Sequence, residues 1–213
     1  MKHEHIARAQ WSTYACVVTA LIALAGCNTT MQQKDVPPEV SQRLTPIRDQ
    51  IADLRNQIQN TSAAAGNLVQ TPQNDLTSQI DRLDNQLGEL KTGLQTGRAK
   101  VESVDAATQT YFVNWDQQLK TMSDDMAKAG GARLQQAEAT YTKLKTNMYA
   151  FRDQVRPYMG ELNEAVTYLR TDRTKSGLSA VEPKIRQALN RQSTMMSQLD
   201  ELTAEIDAMQ GTR

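Results

Sequence analysis

The sequence predicts an all-α protein, an elongated antiparallel helical bundle or coiled coil of three to four long helices. Three observations lead there. After residue 44, apolar residues recur at alternating spacings of four and three, the mark of a helical stripe extended into heptads. No segment alternates apolar and polar residues over a strand length, so essentially no β-structure is expected. Short stretches containing Gly or Pro separate the stripes, and short loops between long helices make neighbours antiparallel. A parallel homodimeric coiled coil is the alternative, and the glycine-rich turns speak against it; oligomerisation through the helices stays open.

The first element is not part of the bundle. Lys2 and Arg8 make a basic start, Ala15 to Ala25 is an apolar run, and Ala25-Gly26 precede Cys27. The run is shorter than the roughly 20 apolar residues a membrane span requires. Charge, apolar run and small residues before a cysteine resemble a bacterial lipoprotein signal. The resemblance implies a signal peptide over residues 1–26, cleaved between Gly26 and Cys27, with Cys27 acylated. By similarity to known sorting rules, Asn28 after the cysteine implies the outer membrane, with the chain facing the periplasm. Such anchors resemble multi-chain anchors, each buried methylene contributing about 0.8 kcal/mol.

Residues 27–44 then read as the lipidated cysteine and a flexible tether, because Val36-Pro37-Pro38-Glu39 should not be helical through its prolines. Extended, the 17 residues from 28 to 44 reach roughly 55 Å, which would hold the folded part clear of a bilayer.

The bundle is expected over residues 45–210. Thr45-Pro46 suits a helix start, and Ile47, Ile51, Leu54 and Ile58 carry the stripe to about residue 59 before Gly66 and Pro72 interrupt it. A second helix over about 75–129 follows Leu76, Ile80, Leu83, Leu87, Leu90 and Leu94, and continues through Val101, Val104, Thr108, Tyr111 and Trp115 to Leu119, Met122 and Met126. Gly130-Gly131 should end it. A third, over about 132–171, runs from Leu134 to Leu169 with Pro157 inside. A fourth, over about 178–210, runs from Leu178 to Met209, with Pro183 expected in its first turn.

Composition excludes much chemistry. Both histidines, His3 and His5, and one of the two cysteines, Cys16, lie within residues 1–26, and Cys27 is the other. A chain processed before Cys27 thus has no imidazole base, no free thiol and no zinc site of ordinary ligand type. No metal, cofactor or catalytic residue is expected. The whole chain has 24 basic and 24 acidic residues; without Lys2, Arg8 and Glu4 it has 22 and 23, a net charge of −1. That balance offers no footprint for nucleic acid and no polybasic membrane patch. Glu161 with Glu164, and Asp124 with Asp125, read as solvated helix faces rather than cation sites.

Tyr111, Phe112 and Trp115 are the main aromatic concentration. Tyr111 and Trp115 fall on the predicted seam and read as core, whereas Phe112 falls off it and is the candidate partner contact. Met122, Met126, Met148, Met159, Met195, Met196 and Met209 suggest a methionine-rich core, which suits irregular packing and also adaptable binding.

Three stretches carry a family resemblance: Val101-Glu102-Ser103-Val104 leading to Tyr111-Phe112-Val113-Asn114-Trp115, then Phe151-Arg152-Asp153-Gln154-Val155, then Thr167-Tyr168-Leu169-Arg170. From about Arg98 to Met209 the chain resembles domain-of-unknown-function family 2959, a group of Gram-negative lipoproteins with a lipobox followed by long helices. The resemblance implies no activity and no site residues. The expectation is a membrane-anchored envelope protein with a non-enzymatic structural or docking role toward other envelope proteins. A periplasmic holdase or lipid-binding helper is the alternative.

Overall fold

The computed structural model describes residues 36–211. Gly26, Cys27 and the expected signal peptide lie outside the described residues. The described body has α1 (Pro38–Arg43), α2 (Thr45–Gln70), α3 (Thr77–Leu119), α4 (Asp124–Thr171) and α5 (Lys175–Gln210), with no strand among the described residues. At 1.5 Å per residue the four long helices measure about 39, 65, 72 and 54 Å.

The fold begins before Thr45. Pro38 stands at the start of α1, where a missing N–H costs nothing. The carbonyl of Pro37 accepts from the Val40 and Ser41 amides at 3.0 Å each. Val36, Val40 and Leu44 are fully buried. The prolines therefore open a helix instead of forbidding one, and residues 36–44, expected to lie in the tether, belong to the bundle.

α2 runs past residue 59 to Gln70, because its later turns bury small residues rather than large ones. Thr61, Ser62, Ala64, Ala65 and Leu68 face inward. The Thr61 hydroxyl donates to the Gln57 carbonyl at 2.8 Å, and Ser62 Oγ pairs with the Tyr158 hydroxyl at 2.9 Å.

The expected glycine turn is displaced. α3 ends at Leu119, the chain turns through Lys120–Ser123, and Gly130-Gly131 lie inside α4. A Cβ on Gly130 would overlap Cδ2 of Leu119, so this glycine provides the space in which Leu119 is buried. α5 starts at Lys175, earlier than expected, where the Thr174 side chain caps it by accepting from the Gly177 amide at 3.1 Å. Pro183 sits beyond its first turn, and Pro157 lies inside α4 as its sequence position implied.

The long helices close a ring in which each packs against the next, α2 on α3, α3 on α4, α4 on α5 and α5 on α2. Ion pairs mark the register of these contacts. Arg48 with Asp207 (2.6 Å) joins α2 to α5, Lys145 with Asp105 (2.7 Å) joins α4 to α3, and Arg191 with Glu161 (3.0 Å) joins α5 to α4. Such pairs contribute about 0–1 kcal/mol each when solvated, so the continuous apolar core supplies the stability and the pairs fix alignment. Gln50, itself buried, donates to the Gly93 carbonyl at 3.2 Å and ties α2 closely to α3.

Candidate functional site at the α3–α4 end

The two ends of the bundle differ. At one, the α2–α3 and α4–α5 turns lie together: Arg173 donates to Thr77 Oγ1 and Lys175 to Asn74 Oδ1, both at 3.3 Å. Toward the other, α1 meets the end of α5, where Gln210 donates to the Ser41 carbonyl at 3.1 Å and to Thr45 Oγ1 at 3.0 Å. The α3–α4 hairpin continues past this level. The Tyr111 hydroxyl donates to Glu39 at 3.4 Å, leaving residues 112–119 of α3 beyond α1. Glu205 of α5 faces Lys143 and Asn147 (3.0 and 2.8 Å), so the first 16 residues of α4, about 24 Å of helix, extend beyond α5.

This projecting hairpin holds most of the exposed apolar residues. Among the described residues, Val113 (55 % exposed), Met122 (43 %) and Met126 (61 %) lie on it, while Tyr149 and Tyr168 lie elsewhere on α4. Asp124 and Asp125 occupy the first turn of α4, where carboxylates favour the positive end of the helix dipole. Both are exposed, in agreement with their reading as solvated groups.

Phe112 is not a surface residue. It is 3 % exposed, and its ring meets Tyr141 edge-on at 6.2 Å between centroids. Tyr111 and Trp115, read as core, are only half-buried and contact each other at 6.0 Å. The inward direction thus rotates toward α4 at a level beyond the start of α2. The methionines are redistributed too: Met195 and Met209 are buried, Met148, Met159 and Met196 are half-buried, and Met122 and Met126 are exposed.

Beside Phe112 lies a polar layer absent from the sequence reading. Lys145 Nζ donates to Asp105 Oδ2 at 2.7 Å, which holds the lysine above its ordinary pKa. Burial, then the Asp105 charge, raise the Tyr141 phenol well above the ordinary tyrosine value. Asp105 Oδ1 and Thr108 Oγ1 are buried near that hydroxyl without full hydrogen-bond geometry. Through the Lys145–Asp105 pair the cluster acts as a polar cross-brace between α3 and α4. Two shallow surface grooves lie elsewhere, one an open furrow on α4 along Gln135, Glu138, Ala139 and Thr142, the other by Asn67, Thr71 and Gln79.

Glu161 and Glu164, read as a solvated face, pair across to α5: Glu161 with Arg191 through both carboxylate oxygens, and Glu164 with Lys184. Among the described residues no three His, Cys, Asp or Glu side chains gather as a metal site, and no helix is long and apolar enough to cross a membrane.

Residues 36–210 match the model of a family described as "Protein of unknown function (DUF2959)". No curated protein matches, and no solved structure matches.

Proposed function

The chain belongs to the DUF2959 family, and we propose that it is an envelope lipoprotein, held at the outer membrane through Cys27. Its helical body serves other envelope proteins as a rigid structural or docking element and catalyses no reaction. The observation that carries this reading is the closed ring of long helices around one continuous core, with ion pairs across its helix–helix seams. A body built so offers a fixed external surface rather than an internal pocket. The lipobox-like segment before Cys27 supports the anchor. The holdase reading drew on a methionine-rich core, and that motivation weakens with only Met195 and Met209 buried among the seven bundle methionines.

Photo-crosslinking in intact cells, followed by mass spectrometry, tests the docking role; reproducible capture of defined envelope proteins is expected. Repeated capture of none counts against it. A Cys27→Ser chain should lose lipid-dependent fractionation with the membrane, and unchanged fractionation would remove the anchor.

A further inference from the structure

We propose that the projecting α3–α4 hairpin is the membrane-facing end of the body and that Met122 and Met126 rest in the bilayer interface. This rests on the reading of Cys27 as the lipid anchor.

Chain length carries the inference. Nine residue steps separate Cys27 from Val36, and whatever their path they span at most about 30 Å. Val36 is buried in the bundle, so the chain has joined the folded body by that residue. The direction of the chain from that point is fixed by contacts. Glu39 lies at Tyr111, Gln50 at Gly93, Thr61 at Gln86 and Asn67 at Gln79. From Glu39 to Gln70 the chain therefore travels away from the α3–α4 turn. The opposite end of the bundle lies some 31 residues farther along α1 and α2, about 47 Å, beyond the reach of the linking segment. The hairpin projects the other way by about 12 Å on α3 and 24 Å on α4. With Cys27 at a bilayer, an upright body presents the hairpin to it.

The chemistry of that end fits a lipid surface. Met122, Met126 and Val113 are exposed there. Between residues 113 and 133, Lys120, Lys128 and Arg133 balance Asp116, Asp124 and Asp125. A charge-neutral tip with two flexible apolar side chains suits zwitterionic headgroups, and it needs little intrinsic affinity because the anchor supplies the local concentration. The same geometry sets the α2–α3 and α4–α5 turns farthest from the membrane, where they are open to envelope partners.

The test uses full-length, lipidated protein, in which the Cys27 thiol is taken up by lipid and Cys16 is removed with the signal. An environment-sensitive fluorophore is placed at Met126→Cys or Met122→Cys, and in a separate sample at Asn74→Cys. The vesicles contain phosphatidylethanolamine and phosphatidylglycerol with nitroxide-labelled lipid. Circular dichroism confirms that each variant keeps its helix. Labels at 122 and 126 should shift to the blue and lose most of their emission, while the label at 74 keeps its own. Quenching at 74 equal to that at 126 means the body lies flat and overturns the proposal. Lipid-dependent flotation with a bright label at 126 overturns it while leaving the anchor intact. If residue 126 stays bright on vesicles yet crosslinks to another protein in cells, this end belongs to a protein partner and the lipid contact is wrong. Failure to float, unaffected by Cys27→Ser, removes the anchor and this proposal with it.

Discussion

Adjacent glycines in α4 should respond to alanine with opposite signs. At Gly131 a Cβ meets nothing within 4 Å, so Gly131→Ala should gain the helix-interior preference of Ala over Gly, about 0.5–1 kcal/mol. For a chain of this size each kcal/mol moves Tm by about 2–4 °C. At Gly130 the new Cβ would overlap Cδ2 of Leu119, and Leu119 is buried. Displacing it forfeits a large part of the roughly 1.5–3 kcal/mol of a buried leucine. That loss exceeds the helix gain, and a net destabilisation of about 1 kcal/mol is expected. Urea and thermal unfolding followed by circular dichroism measure both. Leu119→Ala completes a double-mutant cycle, since Gly130→Ala should turn favourable once the leucine is shortened. A Gly131→Ala variant that loses 1 kcal/mol or more would show that the chain turns at the glycine pair, and the placement of α4 from Asp124 would be refuted.

Three further outcomes follow from the core. Phe112→Ala should cost about 3–5 kcal/mol in the same unfolding assay, because Phe112 fills the interior against Tyr141; an unchanged Tm would return it to the surface. Leu44→Ala should cost about 2–5 kcal/mol, whereas a residue in a free tether would tolerate the change. Tyr158→Phe leaves Ser62 without its buried partner and should cost about 1–2 kcal/mol at neutral pH. Burial holds the Tyr158 phenol up to about 12. Its folded pKa lies above the unfolded value near 10, so the folded chain keeps a proton that the unfolded chain releases. Stability is then full below pH ~10 and falls by about 2–3 kcal/mol as pH rises to ~12. Tyr158→Phe should flatten that alkaline slope, with the part due to Tyr141 remaining; an unaltered slope would place the phenol in solvent.

The helical character was legible because it is written in spacing, and the boundaries were not because other physics sets them. The run from Ile80 through Leu90 declares its buried face with large apolar residues at regular intervals. Residues 60–68 do not, since their inward positions are Thr61, Ser62, Ala64 and Ala65. Where helices come close, small side chains bury as well as leucine does, and a hydrophobicity pattern misses them. Pro38 and Gly131 fail in the opposite sense. Each is a helix breaker by propensity, yet proline costs nothing at a first turn and one interior glycine costs only about 1 kcal/mol. Tertiary packing repays either amount.

The projecting end was misread for a different reason, which bears on the membrane inference. A stripe states which face of a helix is apolar; it does not state which neighbour, if any, covers that face. Near Tyr111 the neighbours change, as α1 lies on one side with Glu39 and α4 on the other with Tyr141. The inward direction swings by one residue, Phe112 takes the interior, and Tyr111 is left at the margin. Beyond Leu119 the heptad positions of Met122 and Met126 are kept in the sequence although, among the described residues, no helix covers them. An apolar register that outlasts its protein neighbours is expected where another apolar phase takes over. Under the proposed anchoring at Cys27, a linking segment no longer than about 30 Å up to Val36 would put the bilayer within reach as that phase.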